Sequence, residues 1–273
     1  MNWLEGLLYG LISGLTEIMP VSSRAHQNLL RQIFGIRQID PIADFLVHLA
    51  VLIALLIGCR GMLYRLQRER RALQQGRRKR SDFRASYDLR LLRAAIMPLM
   101  LLLLCQIFTK DWFNNSLIIG LFSIVNGLIL YLAERFPQGN KDSRHISVLD
   151  SIVFGAMGAL SVLPGVSRVG ASLSYATIRG VDRQHAMSWS LLLSIPAMCI
   201  LCIFDVVGIF GTAVLTMGYS VITSYVMATV GAFIGAYLCL FFIRTIVSRL
   251  NFAGFAYYSW GAALLAIVLY LIS

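Results

Sequence analysis

Long apolar runs recur along this 273-residue chain, and most of its charges fall in the segments between them. That alternation leaves few folds open. A helix needs about 20 mainly apolar residues to cross a bilayer. Six stretches approach that length: 44–59, 92–108, 116–133, 188–210, 221–242 and 253–272. Charged residues make up only 14% of the chain, where a soluble domain carries about 25%. A transmembrane β-barrel needs short alternating segments, which the sequence lacks. The expectation is an all-α polytopic membrane protein, a single membrane domain over 1–273.

Two further apolar pieces stop at a proline. Residues 3–19 run into Pro20, and 148–163 run into Pro164. Proline cannot continue a helix, and it frees backbone groups that must be satisfied inside protein or a cavity. Each piece resumes as a short helical segment, at 27–34 and 171–178. Paired short helices around a polar break predict two re-entrant hairpins beside the six spans; for the first, one kinked span is the alternative. Gly6, Gly10 and Gly14 give the first hairpin a small face that another helix can approach closely.

The net charge is +11, and 12 of the 24 Lys and Arg lie between Arg60 and Arg93. In a multi-span chain such a run marks a cytoplasmic loop rather than a nucleic-acid site. The basic segments 134–147, 179–185 and 244–250 fall on the same side if the count of spans holds. A reporter fused after Arg77 is therefore expected to read cytoplasmic; the opposite signal would overturn the topology. Cys199 and Cys202 have CxxC spacing but lie in an apolar run, where they read as small hydrophobes. His145 and His185 read as loop residues without chemistry, and Asp205 as interfacial.

The two breaks resemble each other. At an offset of 144 residues, Pro20 falls on Pro164, Ser23 on Ser167 and Arg24 on Arg168; at 145, Gly10 matches Gly155 and Leu15 matches Leu160. This predicts a duplication, with repeat one at about 3–133 and repeat two at about 148–272. Three spans separate the breaks, so the second copy is inverted. Broken helices of inverted repeats meet near the midplane and form the binding site there. Helix N-termini at such breaks attract anions, and a serine–arginine pair from each side suits phosphate.

The residues at the first break are Glu17-Ile18-Met19-Pro20-Val21-Ser22-Ser23-Arg24-Ala25-His26. A carboxylate, two hydroxyls, a cation and an imidazole at membrane depth are a functional hypothesis by default. His26 follows Ser23 by three residues and reaches it if the chain is helical there. The stretch is similar to the first signature of the undecaprenyl pyrophosphate phosphatases, the bacitracin-resistance family of bacterial membrane enzymes. Pro164-Gly165-Val166-Ser167-Arg168-Val169-Gly170-Ala171-Ser172 resembles their second signature, and residues 44–50, with Asp44 and His48, resemble the start of a family helix.

The resemblance implies hydrolysis of a C55 polyprenyl diphosphate to the monophosphate, which recycles the carrier lipid of cell-wall synthesis. It implies a multi-pass protein of the bacterial inner membrane, with its site facing the outer side and the lipid as its partner; a homodimer is a further expectation. Carried over residue by residue, Glu17, Ser23, His26 and Arg168 would be catalytic. Ser22, Arg24, Gly165, Ser167, Gly170 and Ser172 would bind substrate. A divalent cation, Mg²⁺ or Ca²⁺, would sit at Glu17 and Asp44. The chain departs from the family pattern where Ser13 and Ser188 replace carboxylates and Arg24-Ala25 replaces a small hydroxyl residue and glycine. These departures also suit an alternative: non-hydrolytic binding or flipping of a polyprenyl phosphate lipid on the same scaffold.

Overall fold

The computed structural model describes residues 1–36, 41–75, 84–109, 112, 115–210, 219–246 and 251–272. The described residues are helical apart from short connections. They form α1 (Trp3–Ile18), α2 (Ser23–Ile33), α3 (Pro41–Gln74), α4 (Arg84–Leu104), the single turn α5 (Gln106–Thr109) and α6 (Ser116–Glu134). Then follow α7 (Val148–Ala159), α8 (Arg168–Ile178), α9 (Arg183–Phe210), α10 (Tyr219–Ile246) and α11 (Phe252–Ile272).

Among the described residues five helices are long and apolar enough to cross a membrane: Pro41–Ala72, Ser116–Glu134, Arg183–Ile209, Val221–Ile243 and Phe252–Ile272. The sixth expected span, 92–108, falls short among the described residues. Its helix, α4, begins with Asp88, Arg90 and Arg93 and ends at Leu104, followed by a turn at Cys105. Between the charges and that turn the apolar part is short. The basic segment 60–93 is also not simply a loop, because α3 continues as helix to Gln74. The rest of that segment at 76–83, the turn residues 110–111 and 113–114, and 247–250 lie outside the described residues.

Large apolar side chains such as Leu121, Leu128, Leu238 and Phe241 point outward from the helices. Polar residues, among them Ser13, Asn126, Ser172 and Ser194, are buried. The core is also apolar, so it is the extensive apolar exterior that sets this chain apart from a soluble protein and matches lipid as the solvent.

In lipid, helices associate through close packing rather than hydrophobic expulsion. Here α1 packs mainly on α10, α7 on α4, and α6 on α11, while α3 lies against α9 and α10. The glycines set these approaches. A Cβ at Gly10 would lie 1.9 Å from the Ala228 carbonyl oxygen, and one at Gly155 would lie 1.9 Å from that of Ala95. Gly10→Val is expected to separate α1 from α10, since overpacking typically costs about 1–3 kcal/mol and here the obstacle is backbone. Loss of monodisperse, cooperatively melting protein in detergent is the expected result; a normal melt would show that α1 can shift freely.

The two hairpins match closely. α2 and α8 each run 11 residues from a serine N-cap, Ser22 or Ser167, whose hydroxyl accepts the backbone N–H of Ala25 or Gly170. Each is followed by a left-handed glycine, Gly35 at φ 66° and Gly180 at φ 77°. Both helices start earlier than their apolar pattern suggests, because the caps lie directly after the breaks. The structural register is thus 145, and it corrects the 144 alignment of the serine–arginine pairs. Ser22 corresponds to Ser167 and Ser23 to Arg168, whereas Arg24 corresponds to Val169. The N-caps of α1 and α7, Asn2 and Ser147, keep the same offset, so Pro20 falls on Gly165, which takes φ 114°. Its missing Cβ would otherwise lie 2.5 Å from the Ile119 carbonyl oxygen.

Candidate active site

Both breaks open onto one cleft. It is lined by Thr16, Glu17, Val21, Ser22, Ser23 and Arg24 from the first hairpin. The second hairpin contributes Ser161, Val166, Ser167 and Arg168, and Leu103, Gln106 and Leu201 complete the wall. The N-termini of α2 and α8 therefore meet at one place. The first amides of a helix have no partner within it, and they carry partial positive charge.

Arg168 spans the two hairpins. Its Nη2 donates to Glu17 Oε2 at 2.8 Å and its Nε to Ser194 Oγ at 3.1 Å on α9. Both members of the ion pair are largely buried, with side-chain exposures of 5% and 9%. Such a pair is stable only with further hydrogen bonds, and Ser194 provides one. Ser23 Oγ is buried beside the Glu17 carboxylate and has no partner at hydrogen-bonding geometry among the described residues. A buried orphan hydroxyl at a charged cleft is a candidate for substrate contact.

Asn126 of α6 was not singled out by the sequence, since it is one amide in an apolar span. Its Oδ1 accepts the Ser167 N–H at 2.8 Å, and its Nδ2 donates to the Pro20 carbonyl at 3.4 Å and to Ser259 Oγ at 3.2 Å. One buried side chain thus ties both breaks. Ser167 Oγ adds a link across them by donating to the Met19 carbonyl at 3.2 Å. Gly170 lets α8 approach the first break, since a Cβ there would lie 3.0 Å from the Pro20 oxygen.

Several expected residues point elsewhere. His26 does not line the cleft or bond Ser23. Its Nδ1 donates to the Ser22 carbonyl at 2.6 Å, so in the neutral ring Nε2 accepts from Tyr258 Oη at 2.7 Å. Ser172 faces α9, with its Oγ bonded to the Arg168 carbonyl at 2.9 Å and 2.9 Å from Ser190 Oγ. Gly165 packs on α6, outside the cleft wall. Ser13 is buried and accepts from Gln27 Nε2 at 3.3 Å.

Ser188 lies in a different cavity, lined also by Arg65, Asp88, Asp182, His185 and Trp189. There Asp88 accepts from Arg65 at 2.9 Å and from the Trp189 indole at 3.2 Å, with His185 Nε2 at 3.4 Å. His185 is therefore a buried part of α9 rather than a loop residue. Asp205 is likewise paired, accepting from His48 Nδ1 at 2.6 Å. At the base of the second hairpin, Arg179 Nε donates to Asp150 at 2.7 Å. Burial there raises the Asp150 pKa, but hydrogen bonds from Ser147 and Arg179 outweigh it and hold the carboxyl below its usual range.

The expected cation ligands are each engaged by another side chain. Asp44 Oδ1 accepts from Tyr9 Oη at 3.0 Å, and Asp44 is absent from the cleft wall. Glu17 is the one carboxylate lining the cleft among the described residues, and it is paired with Arg168. Among the described residues no three His, Cys, Asp or Glu side chains gather as a metal site. This donor set does not fit a divalent cation held by protein side chains.

The fold and cleft define a polytopic helical membrane protein with a buried arginine–carboxylate ion pair between two broken-helix hairpins. The chain belongs to the bacitracin resistance protein BacA family, whose profile matches residues 6–265. It is similar to the undecaprenyl-diphosphatase of Carboxydothermus hydrogenoformans, 31% identical over 260 residues, or 95% of this chain and 94% of that one. The undecaprenyl-diphosphatase of Nocardioides sp. is 32% identical over 277 residues, covering 98% of this chain and 97% of the relative. That of Methanococcus vannielii is 30% identical over 266 residues, covering 97% and 99%.

Proposed function

We propose that this protein is a membrane phosphatase that hydrolyses undecaprenyl diphosphate to the monophosphate, recycling the carrier lipid for peptidoglycan synthesis. The observation that carries this reading is the Arg168–Glu17 pair across a cleft formed by two helix N-termini. Phosphoryl transfer needs mainly positioning and charge neutralisation, and this cleft provides both. Arg168, with the amides of α2 and α8, holds the diphosphate oxygens. Ser23 Oγ attacks the terminal phosphorus and passes its proton to Glu17. The bond from phosphorus to the bridging oxygen breaks, and the lipid monophosphate leaves. Water then cleaves the phosphoserine and restores the Ser23 hydroxyl, and the proton on Glu17 leaves with the inorganic phosphate. His26 holds the start of α2 through the Ser22 carbonyl.

The architecture we propose is an inverted repeat in the bacterial inner membrane. Its support is the exchange of partners: α1 packs on α10 as α7 packs on α4, and Gly10 meets Ala228 as Gly155 meets Ala95. The site faces outward in this reading. Leu103, Gln106 and Leu201 lie toward the helix ends remote from the basic segment, which the positive-inside rule assigns to the cytoplasm.

The test is phosphate release from a C55 diphosphate by purified protein in detergent. The wild type is expected to turn over. Ser23→Ala is expected to lose at least about 10²-fold in rate, as for removal of an activated nucleophile. Lipid binding without release under any ionic condition would favour the non-hydrolytic reading instead.

A further inference from the structure

We infer that this cleft meets the charge of the diphosphate with arginine, Arg24 acting beside Arg168, so that the headgroup binds without a divalent cation. The inference rests on the diphosphate reading of the cleft.

Arg24 is the second residue of α2 and lines the cleft with Arg168. The charged residues of the wall are two guanidinium groups and one carboxylate. The positive ends of α2 and α8 add to that excess. A diphosphate brings the negative charge that such a wall lacks.

A dication would have to enter at Glu17, whose Oε2 already accepts from Arg168 at 2.8 Å. It would leave a buried guanidinium beside a doubly charged ion, with Arg24 also near. The two other carboxylates of this region are engaged, Asp44 with Tyr9 and Asp205 with His48. Arginine, in contrast, matches phosphate oxygens with paired N–H donors and keeps its charge at any working pH.

The full-length protein in detergent, with farnesyl diphosphate as probe, tests this by calorimetry in chelator and in Mg²⁺, alongside Mn²⁺ binding read by electron paramagnetic resonance. The wild-type affinity is expected to agree within about twofold between the two buffers, against about tenfold per 1.4 kcal/mol of any cation contact. Without lipid, no Mn²⁺ should be immobilised. Arg24→Gln should weaken binding in chelator by about tenfold or more, the value of one charged hydrogen bond, while Arg24→Lys should retain much of it. Thermal melts establish that the variants are folded, and the wild-type comparison stands even if Arg24→Gln is not. Binding only in Mg²⁺, or one Mn²⁺ held by the protein and lost in Glu17→Gln, overturns the inference while leaving the diphosphate reading intact. Unchanged binding by Arg24→Gln removes Arg24 from it. No binding in either buffer overturns the inference and the diphosphate reading together.

Discussion

Arg168→Lys is expected to remove nearly all phosphate release while the protein remains folded, and Arg168→Ala to lose fold stability as well. Lysine keeps a positive charge near Glu17 but cannot bond Glu17, Ser194 and a phosphate oxygen from one planar group. Losing a preorganised donor at a developing anion typically costs about 10²–10³ in rate. Alanine also leaves Glu17 buried without its partner, which costs about 3–5 kcal/mol when a buried pair is broken from one side. The order of melting temperatures should therefore be wild type, then Arg168→Lys, then Arg168→Ala. Exchanging the charges, with Glu17→Arg and Arg168→Glu in one protein, should recover part of the melting temperature and none of the turnover. Turnover of Arg168→Lys close to wild type would show that Arg168 is a structural strut.

The helices of this protein are easy to read from sequence because lipid demands long apolar runs and proline ends them. Pro20 and Pro164 give both breaks directly, and the positions of Glu17, Ser23 and Arg168 around one cleft follow from them. What sequence spacing misplaces is the register. Matching Arg24 to Arg168 is natural on identities, but the helix caps keep one register of 145, in which Gly165 stands where the first break has Pro20, and caps, not prolines, set where α2 and α8 begin. Individual polar contacts are also hidden. His26 lies three residues from Ser23, yet Tyr258, 232 residues away, receives its ring. Asp44 and Glu17 look like a ligand pair until Tyr9 and Arg168 are seen to hold them separately. The shortened apolar part of α4 was legible in Asp88, Arg90 and Arg93, but a window that starts at residue 92 passes over most of that charge.

Asn126→Leu is expected to disconnect the two breaks and to reduce turnover more than any other substitution that leaves the cleft wall itself unchanged. The amide satisfies the Ser167 N–H and the Pro20 carbonyl at once, and leucine of similar size satisfies neither. Each buried backbone group left unpaired costs about 1–3 kcal/mol. The chemical effect exceeds the thermodynamic one, because Ser167 is the cap of α8 and Arg168 begins it. A displacement of about 1 Å there changes the aim of the guanidinium, and misplacement on that scale can cost about 10²-fold. Asn126→Asp separates the two bonds. It keeps an acceptor for Ser167 but faces the Pro20 carbonyl with oxygen instead of N–H, so it should rescue the α8 side alone. Intermediate turnover, with an unfolding midpoint between those of wild type and Asn126→Leu, is the expected result. If Asn126→Leu releases phosphate at the wild-type rate, the two hairpins hold their geometry without α6, and the short link from Ser167 Oγ to the Met19 carbonyl must be sufficient.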